Sequence, residues 1–204
     1  MVIQSRFSAQ IPNCSIQTWI FGSACGSLLY GDSKAWIDAD SPEDRFLTFA
    51  SARLLAKRIA LGLIDAGLEH GDRVLVMSDN SVVYPVIVFG IWMAGGIFTG
   101  ANSASATREL SFQLRDSQAK FLLAAEACWD VAMDAASLVC LPQEQVFLVD
   151  GMLPGPDIDG DTPQQHWARL WAPVERAENF EWMEPEDARE TTCALNYSSG
   201  TVRG

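Results

Sequence analysis

Short continuous apolar runs alternate with longer amphipathic stretches through most of the chain. The runs RVLVMS, GIFTG, KFLLA and QVFLVD have the length and character of buried strands, because a strand covered on both faces of a parallel sheet carries apolar side chains at nearly every position. The stretches between them predict helices, so strands and helices alternate. This alternation predicts right-handed βαβ units. The expected fold class is α/β, with a doubly wound, mostly parallel sheet flanked by helices.

The part of the chain before the first run predicts two helices and a strand. SIQTWIFG indicates a short helix with Ser15 near its N-cap, and KAWIDAD indicates a strand. A longer helix follows, for which Thr48 is the expected N-cap and Gly67 the expected end. Apolar residues recur along it at helical spacing, and Lys57 and Arg58 lie off this stripe. The stripe consists of Leu55, Ile59, Leu63 and Ala66.

Cap residues are also expected after two of the apolar runs. Asn80 or Ser81 is the expected N-cap of the helix after RVLVMS, with Pro85 in or near its first turn. Ser105 or Thr107 is the expected N-cap of the helix after GIFTG.

The chain divides into three parts by residue composition and hydrophobic pattern. Residues 1–150 carry the βα repeats, residues 151–191 form an acidic, irregular connection rich in Gly, Pro and Asp, and residues 192–204 return to a β pattern followed by a loop of small residues. Within the connection, Trp167 and Trp171 are expected to share one face of a short helix and to pack against the core.

Charge limits the classes of partner. The net charge is −12, which argues against a nucleic-acid or anionic-membrane partner, since either needs a basic face. Eleven acids and three arginines lie from Asp150 to Glu190, a run that is typical of a solvated surface. The two histidines, His70 and His166, lack metal-ligand spacing, so no protein metal site is expected.

The five cysteines and the N-terminus bear on the compartment. The cysteines are odd in number and no pair has CxxC spacing, which predicts free, mostly buried thiols in a reducing compartment. The first residues lack the apolar stretch of a signal peptide. The long apolar stretch at residues 82–100 is interrupted by a proline and a Gly-Gly pair, which favours a buried helix and strand over a membrane span. We therefore expect an intracellular, cytoplasmic protein.

Three loops at the carboxyl ends of predicted strands carry candidate chemistry, since open parallel sheets bind ligands at that edge. Residues 79–81 and 101–103 are expected to be helix caps and turns. The third loop, YSSGT at residues 197–201, is the best candidate, because hydroxyls and glycine-freed N–H groups can surround a phosphate and Arg203 can neutralise it. Neither a Walker loop nor GxGxxG is present, and no serine lies in GxSxG.

A sixty-residue series of motifs resembles the N-terminal part of the adenylate-forming enzymes, which include acyl-CoA synthetases, 4-coumarate–CoA ligases, luciferases and adenylation domains. The series runs GDRV at a strand entry, NS at a helix start, AGG at that helix's end, EL in the next helix and DSQAK before the following strand. YSSGT then matches the start of the family's phosphate loop, [ST]SGTTGxPKG. The resemblance is closest to the 4-coumarate–CoA ligase group.

The resemblance implies a function and a set of site residues. The family activates a carboxylate with ATP and Mg²⁺ as an acyl-adenylate, and a thiol, usually that of coenzyme A, then accepts the acyl group. The residues that carry over as nucleotide-binding are Ser198, Ser199, Gly200 and Thr201, with Arg203 in the place of the family's lysine if the loop is about three residues shorter; otherwise the match ends at Thr201. The acyl pocket, the adenine contacts and the family's catalytic lysine have no counterpart in these residues.

We therefore expect an N-terminal fragment of an ATP-dependent acyl- or aryl-CoA ligase that is inactive alone. Its expected partners are a small carboxylate substrate, the remaining part of the enzyme, and further copies through exposed apolar surface. The parent enzyme is also compatible with a peroxisomal location. Two alternatives remain open, namely a non-catalytic truncated homologue that acts as a binding or regulatory partner, and an unrelated flavodoxin-like binding module.

Overall fold

The computed structural model describes residues 11–151 and 163–198. Its helices are α1 (Ile16–Phe21), α2 (Phe49–Asp65), α3 (Tyr84–Met93), α4 (Thr107–Ser117), α5 (Trp129–Leu138) and α6 (Val174–Glu178). Three 3₁₀ turns lie at Glu126–Cys128, Gln143–Gln145 and Trp167–Leu170. Its strands are β1 (Lys34–Ile37), β2 (Phe46–Thr48), β3 (Arg73–Met77), β4 (Ile97–Ala101), β5 (Ala119–Ala125), β6 (Val146–Val149) and β7 (Ala194–Leu195).

A five-stranded parallel sheet organises the chain. Its strand order is β6-β5-β3-β4-β7, with every neighbouring pair parallel. The four apolar runs of the sequence are β3, β4, β5 and β6, as predicted. The strand predicted at KAWIDAD is β1, but it pairs antiparallel with β2 in a separate two-stranded sheet.

Helices cover both faces of the large sheet. On one face, α2 and α3 pack against alternate side chains of the strands, including Val74 and Val76. On the other face, α4 and α5 pack against the intervening side chains, including Leu75 and Met77. Each central strand is thus buried on both sides, which is why its sequence is apolar at successive positions. The doubly wound α/β fold is confirmed.

Two of the predicted N-caps are correct and two are wrong. The Ser15 and Thr48 side chains cap α1 and α2, accepting from the N–H groups of Thr18 and Ser51. For α3 the cap position is Val83 rather than Asn80 or Ser81, and it makes no side-chain cap hydrogen bond. Pro85 occupies the first turn of α3, where the missing N–H is tolerated.

The start of α4 is stabilised from inside the helix instead of by a hydroxyl cap. The cap position is Ala106, not Ser105 or Thr107, and the Glu109 carboxylate accepts a hydrogen bond from the Ala106 N–H at 3.1 Å. A carboxylate in the first turn also interacts favourably with the helix dipole. The Glu109 carboxylate thus satisfies the N–H of the cap residue, and the expected hydroxyl cap is not formed.

The segment from residue 163 packs on the core rather than passing over it. Trp167 and Trp171 are 1% and 3% exposed, and their rings make an edge contact with centroids 4.8 Å apart. The predicted packing role of the two tryptophans is confirmed, in a 3₁₀ turn instead of an α-helix. The described acids of this segment from Glu175 to Glu190 are exposed, as expected of a solvated face.

Two basic residues of α2 are buried, contrary to the stripe inferred from the sequence. Lys57 and Arg58 are 3% and 7% exposed. The Lys57 ammonium donates to the carbonyls of Ala24 and Glu178, and Arg58 Nε donates to the Ala172 carbonyl at 2.7 Å. Buried charges are tolerated where hydrogen bonds replace water. These two side chains tie α2 to segments on both sides of it.

The structure bears on two further expectations, the burial of the cysteines and the absence of a membrane-spanning helix. All five cysteines are free, but only Cys128 is buried, so the expectation of mostly buried thiols is wrong. Cys25, Cys140 and Cys193 are exposed, and Cys14 is half-buried.

Among the helices that the structure describes, none has the length and apolar character needed to cross a bilayer.

Candidate functional site

The parallel pairing of β7 with β4 decides where the YSSGT loop leaves the sheet. Phe98 of β4 lies opposite Ala194, and Thr99 lies opposite Leu195. Since the two strands run in the same direction, Tyr197 and Ser198 follow β7 at the carboxyl edge of the sheet, the edge at which open α/β sheets bind ligands.

Of the predicted site residues, the structure describes Ser198, which is exposed just beyond β7. Ser199, Gly200, Thr201 and Arg203 lie outside the described residues. The chemistry of this set suits a polyphosphate, because hydroxyl and backbone N–H donors and a guanidinium all complement negative oxygens.

The carbonyl of Cys193 anchors the start of β7. It accepts hydrogen bonds from the Trp92 indole Nε1 at 2.8 Å and from the Phe98 N–H at 3.0 Å. Trp92 stands in the last turn of α3, so this helix and β4 both fix the entry to β7. Because β7 pairs over only two residues, such anchors carry much of its placement.

Helix α4 is fixed to β4 by a buried amide. Gln113 Nε2 donates to the Thr99 hydroxyl at 3.1 Å and to the Gly100 carbonyl at 2.9 Å. A buried amide that makes these bonds sets the helix against the strand, because leaving either partner unpaired costs about 1–3 kcal/mol.

Tyr197, the residue before the first loop serine, is held by α4. Its hydroxyl donates to Asp116 Oδ2 at 2.6 Å. Partial burial, followed by this hydrogen bond and the negative charge of Asp116, raises the pKa of Tyr197 to about 12. The phenol therefore keeps its proton across the physiological range. DSQAK is recognisable in the sequence as a family-like motif, but nothing in the sequence indicates a role for Asp116.

A topological switch point lies beside β3 at the same edge. The connection from β3 passes to the face covered by α3, whereas the connection from β4 passes to the face covered by α4. Here the Ser103 hydroxyl donates to Asp79 Oδ1, and the buried Cys128 thiol donates to the Ser103 carbonyl at 3.5 Å. Burial, with a smaller contribution from Asp79, raises the pKa of Cys128, so the thiol stays protonated and unreactive.

The loop at residues 101–103 leads into a turn, in keeping with the sequence interpretation, whereas the caps expected at residues 79–81 are not formed. Asn102 Oδ1 accepts from the Ala104 N–H at 2.9 Å, which closes an Asx turn. Asn80 and Ser81 are not caps, as noted above. Among the described residues, Ser81 Oγ is a buried hydroxyl without a hydrogen-bond partner.

The structure gives no indication of a metal-binding cluster in the part of the chain it describes. No group of three or more His, Cys, Asp or Glu side chains in residues 11–151 and 163–198 is arranged to hold a cation. His166 instead contacts Asp150 through Nε2 at 3.1 Å, while its Nδ1 accepts from the Ala168 N–H. With both ring nitrogens occupied, this histidine has a structural role.

A cavity of about 660 Å³ lies at the opposite edge of the sheet. It is lined by residues that precede β3 and β4, including His70 and Gly96, and by segments 11–17 and 180–193. Ile11 and Met183, at 75% and 77% exposure, contribute apolar surface to it. Because the YSSGT loop leaves from the carboxyl edge, this cavity and the loop are separate sites.

Comparison with known sequences identifies relatives along almost the whole chain. Residues 29–202 match the family described as AMP-binding enzyme. The chain is 32% identical over 202 residues to an acyl-CoA ligase, azaF, of Aspergillus niger, covering 99% of this chain and 37% of that protein. It is 32% identical over 205 residues to a phenylacetyl-CoA ligase, epaB, of Aspergillus niger, covering 99% and 36%. It is 27% identical over 180 residues to 4-coumarate–CoA ligase 4 of Arabidopsis thaliana, covering 84% and 29%.

Solved structures support the same fold. A long-chain-fatty-acid-CoA ligase from Archaeoglobus fulgidus superposes with a TM-score of 0.75 at 20% identity, over 96% of this chain and 36% of that one. A luciferase-like enzyme from Zophobas morio gives a TM-score of 0.75 at 19% identity, over 97% and 42%. The chain spans about a third of the length of the curated relatives named above. On this evidence, the chain belongs to the AMP-binding enzyme family.

Proposed function

We propose that this chain supplies the N-terminal part of an ATP-dependent acyl- or aryl-CoA ligase, which activates a small carboxylate as its adenylate before forming a thioester. The observation that supports the proposal is the parallel pairing of β7 with β4, which brings Tyr197 and Ser198 to the carboxyl edge of the sheet in a chain that matches the AMP-binding enzyme family. Acyl-CoA ligases among the relatives support the substrate class and the use of ATP and coenzyme A.

The proposed contribution of these residues to the reaction is charge stabilisation. The hydroxyls of Ser198, Ser199 and Thr201 and the N–H groups around Gly200 would donate to phosphate oxygens, and Arg203 would neutralise their charge. A loop of this kind lowers the cost of charge on the departing pyrophosphate when a carboxylate attacks the α-phosphate. Bound Mg²⁺ would share that charge in the longer ligase, and no residue described here is assigned to it.

We further propose that the 204-residue chain alone does not catalyse adenylation, because the ligases it resembles are about three times as long. Carboxylate-dependent exchange of labelled pyrophosphate into ATP should stay at the level of a protein-free blank. Exchange well above that blank would contradict this part of the proposal.

Binding of ATP to the loop is a separate test. In an amide NMR titration, ATP should shift the signals of residues 198–201, and Ser199→Ala should weaken the affinity. Ser137→Ala, an exposed substitution on α5, is the matched control and should leave the affinity unchanged. Shifts confined to the cavity at the opposite edge would contradict the assignment of the loop.

Membership of the AMP-binding enzyme family removes the alternative of an unrelated flavodoxin-like module. The second candidate function is a non-catalytic homologue that acts as a binding or regulatory partner. The sequence VRG, where the family pattern continues with TGxPKG, is the observation that favours it. Failure of ATP to bind the loop would support this candidate over the ligase.

A further inference from the structure

Two motifs that lie 81 residues apart in the sequence meet through one hydrogen bond. Asp116 opens DSQAK in the last turn of α4, and Tyr197 opens YSSGT after β7; the Tyr197 hydroxyl donates to Asp116 Oδ2 at 2.6 Å. A hydroxyl that donates to a carboxylate at this distance makes a short, charge-assisted hydrogen bond. Tyr197 is 38% exposed, so the contact lies at the surface rather than in the core.

The bond supplies a fixed point two residues after the backbone ladder ends. At its start, β7 is held by the Cys193 carbonyl, which accepts from Trp92 and Phe98. Its ladder with β4 spans only Ala194 and Leu195. Among the described residues, the next contact that ties the segment to the rest of the fold is that of Tyr197. Ser198, the last described residue, therefore follows directly on this attachment.

The acceptor itself stands on a rigid element. Helix α4 buries Leu110 and Leu114 against the sheet, and Gln113 joins it to β4 through two hydrogen bonds. Side chains placed on packed helices hold their positions better than side chains on loops. Asp116 is thus a fixed reference for the residues after Tyr197.

We propose that Asp116 is a positioning residue that acts through Tyr197 to orient Ser198, the first residue of the proposed phosphate loop. The inference rests on the proposed function of that loop, because it concerns how the phosphate donors are placed. Electrostatic stabilisation of a reacting phosphate depends on donors that are oriented before the reaction. The raised pKa of Tyr197 keeps the phenol a donor at every physiological pH.

The test uses Asp116→Ala, Tyr197→Phe and the double variant of the 204-residue chain. Amide hydrogen exchange at Ser198 should quicken by about three- to tenfold in each single variant, a range expected when one hydrogen bond is lost. The double variant should show no further increase, since both changes remove the same bond. Asp116→Asn, which keeps an acceptor oxygen, should restore most of the protection.

Matched controls separate positioning from a general loss of stability. Asp134→Ala, at an exposed carboxylate on α5, and Tyr30→Phe, at a tyrosine that is 66% exposed, should leave the loop exchange unchanged. Exchange in β3 and β5 should be the same in all variants. A spectroscopic titration gives a second readout, because Asp116→Ala should lower the pKa of Tyr197 from about 12 towards its ordinary value of 10.0.

Unchanged exchange at Ser198 in Asp116→Ala would overturn the inference, as would increases that add in the double variant or that extend equally into β3 and β5. ATP affinity, measured separately, distinguishes this inference from the proposed function. If the wild-type chain binds ATP, Asp116→Ala should weaken binding by a similar factor, and equal affinity would overturn the positioning role. If the wild-type chain does not bind ATP, the phosphate-loop assignment fails, while the exchange data still decide whether Asp116 orients Ser198.

Discussion

Gly62 provides the sharpest test of the packing described above. It lies inside α2, where glycine is ordinarily less favourable than alanine by about 0.5–1 kcal/mol. On an exposed helix face, Gly→Ala would therefore be expected to stabilise the protein. Here, a Cβ atom on residue 62 would lie 1.8 Å from the Leu170 carbonyl oxygen and 2.6 Å from the Leu170 Cα. We expect Gly62→Ala to destabilise instead.

The magnitude follows from what must move. The atoms in the way belong to the backbone of the 3₁₀ turn, so no side-chain rotation relieves the overlap. Overpacking of this kind costs about 1–3 kcal/mol, occasionally more. Displacing the turn also disturbs the Arg58–Ala172 hydrogen bond, of a class whose net contribution is about 1.5–3 kcal/mol. After subtracting the helix-propensity gain, the expected loss of unfolding free energy is about 2–4 kcal/mol.

Urea unfolding, followed by circular dichroism and tryptophan fluorescence, measures this loss. Trp167 and Trp171 are two of the seven tryptophans, so part of the fluorescence change should come at lower urea than the helix signal if the turn detaches first. Ser137→Ala on the exposed face of α5 is the control, for which a change within about 0.5 kcal/mol is expected. An unchanged or raised stability of Gly62→Ala would refute the close approach of α2 and the turn.

Three further predictions concern pH, thiols and apolar surface. Partial burial raises the pKa of Glu184, but hydrogen bonds from Ser15, Thr18 and Trp182 outweigh this effect and hold the pKa below its ordinary 4.5. The contact therefore stabilises the fold above about pH 4.5, and this stabilisation is lost as the pH falls through the lowered pKa. An acid step in tryptophan fluorescence should be present in the wild type and absent from Glu184→Gln, and identical profiles would contradict this. A disulfide reagent should modify the exposed Cys25, Cys140 and Cys193 rapidly, Cys14 more slowly and the buried Cys128 only in denaturant. Rapid labelling of Cys128 in the native protein would contradict its burial. Residues at the mouth of the 660 Å³ cavity expose apolar surface. Met183→Asp should therefore reduce binding of a hydrophobic dye more than Leu138→Asp on α5, and equal effects would place the exposed surface elsewhere.

Much of the fold was predictable because its signals are local. Continuous apolar runs marked β3 to β6, since burial on both faces requires apolar side chains at successive positions. The caps Ser15 and Thr48 were predictable because a hydroxyl two or three residues before a free N–H satisfies it locally. The caps of α3 and α4 were missed, since several neighbouring polar residues were equally suitable and Glu109 competed from within the helix.

The burial of Lys57 and Arg58 was not predictable from helical spacing. Their hydrogen-bond acceptors lie in segments 33 to 121 residues away in sequence, and only the tertiary fold brings them to α2. The need for glycine at position 62 has the same origin, because the Leu170 backbone that excludes a side chain is remote in sequence.

By itself, the sequence determined the α/β class, the order of the elements, the free thiols and, through its resemblance to adenylate-forming enzymes, the phosphate-loop candidates at residues 198–201 and Arg203. The division at residues 150/151 and 191/192 stays a prediction. Only the tertiary structure decided that β7 joins the same sheet beside β4, that Ser198 and the apolar cavity lie at opposite edges, and that Asp116 holds Tyr197. The physical reason is that side-chain periodicity reports the environment of a residue, whereas strand order and long-range hydrogen bonds depend on which distant segments pack together.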